Sequence, residues 1–289
     1  MAQRRLHGLQ RVLGVNALFS TAYGNVGSSI YYALGPVASF ALGLTPLVFI
    51  ITGAIFFCTA ATYAEATSMY PEAGGSSSFA RRAFNEFWSF FAAWAQMLNY
   101  VVTVAISAFF VPHYLGGLFA PIEFLQESPG DIVFGIGVVV LLCVINIFGA
   151  EESAGLNIAL AVVDFLTQLL LVAAGFFLVF SPDTLINNVD FGIAPTWSDF
   201  LLAIPIGMIA YTGIETISNM AEEAKDETKT IPAAINRVQI AVFAIYFTLP
   251  AIALSALPVV RNDAGEYVTP LGLSEKEGGF AGDPILGVV

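Results

Sequence analysis

A polytopic all-α membrane protein is the fold class this sequence predicts, and three observations predict it. Only 11% of the residues are charged and 57% are hydrophobic, whereas a soluble domain carries about a quarter charged residues. So little charge cannot cover a water-facing surface. Uncharged runs of membrane length recur, the longest from Val12 to Ala64 without one Asp, Glu, Lys or Arg. The runs are continuous and do not alternate, which favours helices over the strands of a β-barrel.

Residues 1–12, beginning MAQRRLHGLQR, carry basic residues into a full-length span with no small-residue cleavage site. They read as a cytoplasmic tail, not a removed signal peptide. Seven spans follow, at 13–39, 43–64, 87–112, 132–149, 155–180, 199–221 and 238–258. Lys and Arg orient them. One side holds Arg4, Arg5, Arg11, Arg81, Arg82, Lys225, Lys229 and Arg237, and the other only Arg261 and Lys276. The N-terminus is therefore expected inside, with the acidic loops 181–199 and 258–279 outside. The net charge of −12 comes mostly from loops, and no basic patch suggests nucleic acid. The connector EEAKDETKTIPAA, inside, reads as a solvated loop. Cys58 and Cys143 fall within spans and read as small packing residues. His7 lies in the tail and His113 at an outer helix end. No HExxH, no GxSxG with partners and no pair of Asp in facing spans appears, so catalysis has no visible machinery and no cofactor or metal is implied.

Spans one and six differ from the others in carrying glycine and polar residues at mid-depth, in AYGNVGSSIY and AYTGIETIS. Interrupted helices at equivalent places in two halves of a chain point to a transporter binding site. The two are five spans apart, and an odd offset leaves the second copy upside down in the bilayer, which is the inverted-repeat plan. Unwinding a helix in lipid costs several kcal/mol per unpaired amide or carbonyl, so a break persists only where something satisfies those groups. Freed N–H groups suit a carboxylate and freed carbonyls suit an ammonium or a metal cation. Gly24 and Gly27 permit a backbone excursion, Asn25 adds a polar side chain, and Ser28 and Ser29 sit where the second half-helix should restart. Close packing through small residues is the competing explanation for Gly24 and Gly27.

The passages GNVGSSIYYALG and IPIGMIAYTGIETISNMAEEAKDETKTIPAAI, with the YPEAGGSSSF exit of span two, resemble the amino acid–polyamine–organocation permeases along essentially the whole chain. Phe79 stands where that loop usually has Tyr. The resemblance implies a leucine-transporter-like helical bundle of two inverted five-helix repeats. Residues 13–180 would form the first repeat and 181–289 the start of an incomplete second. It implies a secondary active amino acid transporter, a symporter driven by H+ or Na+, multi-pass in the plasma membrane. On that reading the amides of Gly27, Ser28, Ser29, Ile30 and Tyr31 receive the substrate carboxylate, with Ser29 replacing a glycine. The carbonyls of Ile209, Ala210 and Thr212 receive the ammonium, Gly213 allows the turn, and Tyr211 and Ile209 supply walls or a gate. Glu215 is the expected protonatable gate, against a structural buried acid as the alternative. Asp164, counted from Ser153-Ala154, falls where proton-coupled relatives place a Lys. An acid there would bind sodium or carry a proton, or else hydrogen-bond a neighbouring helix. Asn99 and Thr103 share a face of span three and serve either as polar packing or as path lining.

Two other readings stay open. The stretch AYGNVGSSIYYAL also resembles the YGDIGTSPLY of Kup-type potassium-uptake proteins, but Asn25 occupies the acid position of that motif. A non-transporting membrane sensor or subunit is the third. The chain stops at GDPILGVV after span seven, where the fold calls for ten core spans, so a truncated permease that does not transport alone is expected.

Overall fold

The computed structural model of the 289-residue chain describes residues 11–147, 150–274 and 277–288. Arg4, Arg5, His7, Lys276 and the side chains of Ser153 and Ala154 lie outside the described residues. The chain is 76% helical with almost no sheet. The helices are α1 (Val15–Val26), α2 (Ile30–Ala41), α3 (Thr45–Met69), α4 (Ser76–Ala83), α5 (Glu86–Leu118), α6 (Gly130–Ile147), α7 (Ala150–Leu178), α8 (Pro182–Asn187), α9 (Trp197–Ile209), α10 (Glu215–Asn219) and α11 (Glu227–Ala256). A two-residue hairpin pairs β1 (Val260–Arg261) with β2 (Tyr267–Val268).

Among the described residues, five helical runs are long and apolar enough to cross a membrane, and the chain is a multi-pass membrane protein. The first run, Val15–Met69, holds both of the first two expected spans. Straight, its 55 residues would reach about 80 Å, more than twice the hydrocarbon core. It bends where Leu42 adopts a positive φ of 46°, and Pro46 then starts α3 at its first turn, where the missing N–H costs nothing. Expected span six is the exception, because its helix stops at Ile209 and only the short α10 follows.

Side chains set the other helix ends. Asn85 accepts the amides of Phe87 and Trp88 at the start of α5, Ser181 that of Thr184 at α8, and Thr196 that of Asp199 at α9. The expected span 238–258 begins earlier, at Glu227, and the stretch read as a solvated connector is half helix. Ile231, Ala234 and Ile235 there are fully buried.

α11 is the centre of the core, packed by α3, α1 and α7. Tyr23, Phe49, Tyr246 and Ile217 meet inside with no exposure. The outer faces of α5, α6 and α7 carry exposed Phe, Val and Leu, the composition a bilayer solvates. Cys58 on α3 and Cys143 on α6 are exposed, contrary to the packing role expected of them. At the expected inner end, residues 11–13 pair with the α10–α11 connector. Leu13 exchanges main-chain hydrogen bonds with Glu223 and Lys225, each 2.9 Å, and Arg11 grips Glu227 through two nitrogens at 2.6 and 3.1 Å.

Candidate functional site

Span one is less broken than its sequence suggests. Between α1 and α2 the chain tightens into a single 3-10 turn, Gly27–Ser29, and Gly27 keeps helical angles of φ −63° and ψ −35°. The physical reason for Gly27 is a side chain, not an excursion. A Cβ there would lie 2.6–2.8 Å from the ring of Tyr23, which folds over it. Gly24 differs, since a Cβ added there meets nothing within 4 Å. The serine hydroxyls turn back along the helix, Ser28 donating to the Gly24 carbonyl at 2.5 Å and buried Ser29 to that of Asn25 at 2.9 Å.

Span six is interrupted outright. Between Ile209 and Glu215 the backbone makes successive turns, and Gly213 sits at φ +123°. Only glycine accepts that angle readily. Glu215 folds back to cap the break, its Oε2 accepting the Gly213 N–H at 2.9 Å, while Asn99 of α5 donates to Oε1 at 3.4 Å. The Ile209 carbonyl accepts Thr212 Oγ1 at 2.9 Å. Ile209 itself points outward, and Ala210 is buried. Tyr211 turns into the core, where its hydroxyl donates to the Phe49 carbonyl at 2.7 Å and its ring packs on Phe56 and Tyr246.

The two interruptions meet. Asn25 lies directly on Gly213, whose absent Cβ would come within 2.7 Å of Asn25 Cγ. Its Nδ2 donates to Thr216 Oγ1 at 3.2 Å. On the other side, the Tyr246 hydroxyl of α11 reaches the carbonyls of Val26, of Gly27 at 3.4 Å and of Ala210 at 3.1 Å. A hydroxyl has one proton, so three carbonyls from two segments share one donor. This is a concentration of acceptors in a dry core, as expected where a helix is opened on purpose.

Asp164 is wired to the same place. Gln168, one turn further along α7, donates through Nε2 to both carboxylate oxygens at 3.1 and 3.0 Å and to the Gly27 carbonyl at 3.0 Å. Tyr23 donates to Gln168 Oε1 at 3.1 Å, and Tyr31 and Asp164 line the same hollow. Among the described residues, several hollows adjoin this centre. One of about 630 Å³ joins Gly24 and Ser28 to Asp164, with Thr21, Asn157 and Thr167 on its wall. A second, about 370 Å³, is lined by Asn25, Thr103 and Asn146. A third, about 370 Å³, joins Asn99 to Thr212 and Glu215. Asn99 and Thr103, neighbours by helical spacing, therefore face different hollows.

Gln168, Tyr246 and Thr216 were not among the residues singled out from sequence, and Tyr31 was singled out only for its amide. Gln168 was findable, since an amide four residues after an intramembrane acid shares its helix face. Tyr246 left no local mark, because its role depends on two distant segments converging.

The model of the amino acid permease family matches residues 13–265. The methylthioribose transporter of Bacillus subtilis (strain 168) is 25% identical over 281 residues, which is 93% of this chain and 60% of that protein. The vacuolar cationic amino acid transporter 4 of Arabidopsis thaliana is 25% identical over 268 residues, 87% of this chain and 44% of that protein. The D-serine/D-alanine/glycine transporter of Escherichia coli (strain K12) is 22% identical over 245 residues, 81% and 51% respectively. The chain thus spans about half the length of the curated relatives it matches.

Proposed function

Because this chain belongs to the amino acid permease family, within the amino acid–polyamine–organocation superfamily, we propose that it forms the substrate-holding part of a secondary active amino acid transporter. The observation that carries this reading is the contact between the two interrupted segments, with Asn25 seated on Gly213 and one tyrosine shared among Val26, Gly27 and Ala210. A zwitterion fits such a junction. Its ammonium competes with the Tyr246 proton for the carbonyls, and its carboxylate competes with Glu215 for the Gly213 amide. The groups to be captured are thus already held by protein side chains that a solute displaces. Gly24 and Ser28 form the open approach, and Asn99 and Thr103 line the hollows on either side of the junction.

The bundle plan is two inverted five-helix repeats, the first over 13–180 and the second beginning at 181, working by alternating access. The coupling ion, H+ or Na+, acts through Asp164 or Glu215. Asp164 is the stronger candidate, because Gln168 links it directly to the span-one carbonyl that meets the substrate. The location is the plasma membrane, with the N-terminus cytoplasmic.

A second reading has one observation behind it. The methylthioribose transporter covers 93% of this chain, and its named substrate is a polar solute without the amino acid zwitterion. The neutral hollow lined by Asn25, Thr103 and Asn146 suits such a solute. Uptake into proteoliposomes of the intact protein separates the readings, with a panel of amino acids and methylthioribose and with sodium and pH gradients imposed separately. Gradient-driven uptake of an amino acid supports the first. Uptake of methylthioribose alone supports the second. Potassium flux insensitive to both removes the two together.

A further inference from the structure

The end of α5 nearest α4 carries a feature that the transport reading does not use. Asn85 caps α5 at the surface, and Phe84 just before it joins Phe87, Trp88 and Phe91 of the first two turns, exposed by 73, 67, 48 and 56%. They form one patch with Trp88 at its centre, its ring 6.2 Å from Phe84, 5.5 Å from Phe87 and 6.1 Å from Phe91. The opposite side of this turn packs inward through Ser89. Aromatic rings gathered at the mouth of an apolar helix belong at the headgroup level of a bilayer.

Beside the patch, the last turn of α4 carries Arg81 and Arg82. Arg82 is spoken for, with Nε 2.9 Å from Glu72 and its guanidinium 4.6 Å over the Tyr70 ring. Arg81, three residues before Phe84, is exposed and forms no hydrogen bond or salt bridge among the described residues. The neighbouring acids are Glu72, held by Arg82, and Glu86 in the first turn of α5. Arg81 thus carries a guanidinium with no hydrogen bond or salt bridge among the described residues, within electrostatic reach of Glu72. It lies three residues along the chain from the aromatic patch, and its charge suits the phosphate of an anionic headgroup joined to a glycerol and acyl chains.

We propose that Arg81 with Phe84, Phe87, Trp88 and Phe91 forms a binding site for an anionic phospholipid of the adjoining leaflet. Arg81 takes the phosphate, and the aromatic patch takes the glycerol and upper chain.

Quenching of Trp88 tests this without reference to transport. The intact protein in detergent is titrated with brominated phosphatidylglycerol or with brominated phosphatidylcholine of the same chains. The Trp88 share is the difference between the wild type and Trp88→Phe. Phosphatidylglycerol should reach half-maximal quenching at about fivefold lower concentration, the scale of one basic residue at an anionic surface. Arg81→Gln should bring the two lipids together, Arg81→Lys should keep most of the preference, and Glu86→Gln should widen it. Molar salt, which shortens screening to about 3 Å, should erase it in the wild type and decides the matter even if a variant fails to fold. Equal quenching by both lipids in the wild type, a preference that survives Arg81→Gln, or one indifferent to salt overturns the site.

Discussion

Replacing Gly213 by alanine strikes the junction of the two interrupted segments, and its cost divides into two parts. An alanine held at φ +123° pays backbone strain of about 1–3 kcal/mol. Its Cβ would also stand 2.7 Å from Asn25 Cγ and 2.8 Å from Nδ2, so Asn25 must move. That movement breaks its 3.2 Å bond to Thr216, a loss of about 1 kcal/mol. Gly213→Ala should therefore destabilise the fold by about 2–4 kcal/mol. Asn25→Ala alone should cost about 1 kcal/mol, because only the hydrogen bond is lost. In the double variant only the residue-25 Cβ, 3.1 Å away, is left of the collision and the bond is already gone, so Gly213→Ala adds chiefly the strain. The two effects should fall short of additivity by about 1 kcal/mol. Unfolding midpoints in mixed detergent and dodecyl sulfate micelles measure all three variants. Strict additivity, or a Gly213→Ala variant as stable as the wild type, would refute the contact and the need for glycine together.

Three further outcomes follow from the same geometry. Tyr246→Phe removes the one proton shared by Val26, Gly27 and Ala210, and should speed amide hydrogen exchange at both interrupted segments while raising affinity for a zwitterion about fivefold, because its ammonium no longer displaces a hydrogen bond of about 1 kcal/mol; exchange altered at one segment only would contradict the bridge. Asp164→Asn should abolish gradient-driven accumulation and spare exchange of bound substrate, measured in proteoliposomes with counterflow as the second readout; unchanged accumulation would make Asp164 structural. Glu227→Gln takes from Arg11 the carboxylate that it grips at 2.6 and 3.1 Å, and hydrogen-exchange protection at residues 11–14 should fall about two- to fivefold at neutral pH, the scale of a partly exposed ion pair; unchanged protection would show that the Arg11 pair does not hold these residues.

Apolar length was legible wherever one helix crosses alone. The expected 87–112, 132–149 and 155–180 correspond closely to α5, α6 and α7, because an uninterrupted run of lipid-solvated residues needs no tertiary information. The start of α11 was misplaced because Glu227, Lys229 and Pro232 look like a connector, while burial of Ile231 and Ile235 against neighbouring helices decides for helix. The break in span six was visible, since a glycine beside polar residues at mid-depth has few other uses. Span one deceived by the same token. Gly27 serves the Tyr23 ring, and a glycine required by a side chain one turn away cannot be told from one required by the backbone. At the site, Asn25, Gly213, Glu215 and Asp164 announced themselves as polar or flexible residues where lipid forbids them. Tyr246 could not, because an intramembrane tyrosine is unremarkable until two carbonyl-rich segments are brought to its hydroxyl.

On the proposed mechanism, solute enters the hollow beside Gly24 and engages the junction of spans one and six. Gly24→Cys reports on it directly, since the added side chain meets nothing within 4 Å and opens onto the hollow that holds Asp164. With Cys58 and Cys143 replaced by alanine, alkylation of this thiol, read on the peptide that carries residue 24, should slow about tenfold in the intact protein at saturating transported solute, as expected when about nine sites in ten are occupied. A rate that the solute leaves unchanged, in a protein shown to transport it, would contradict binding at this junction.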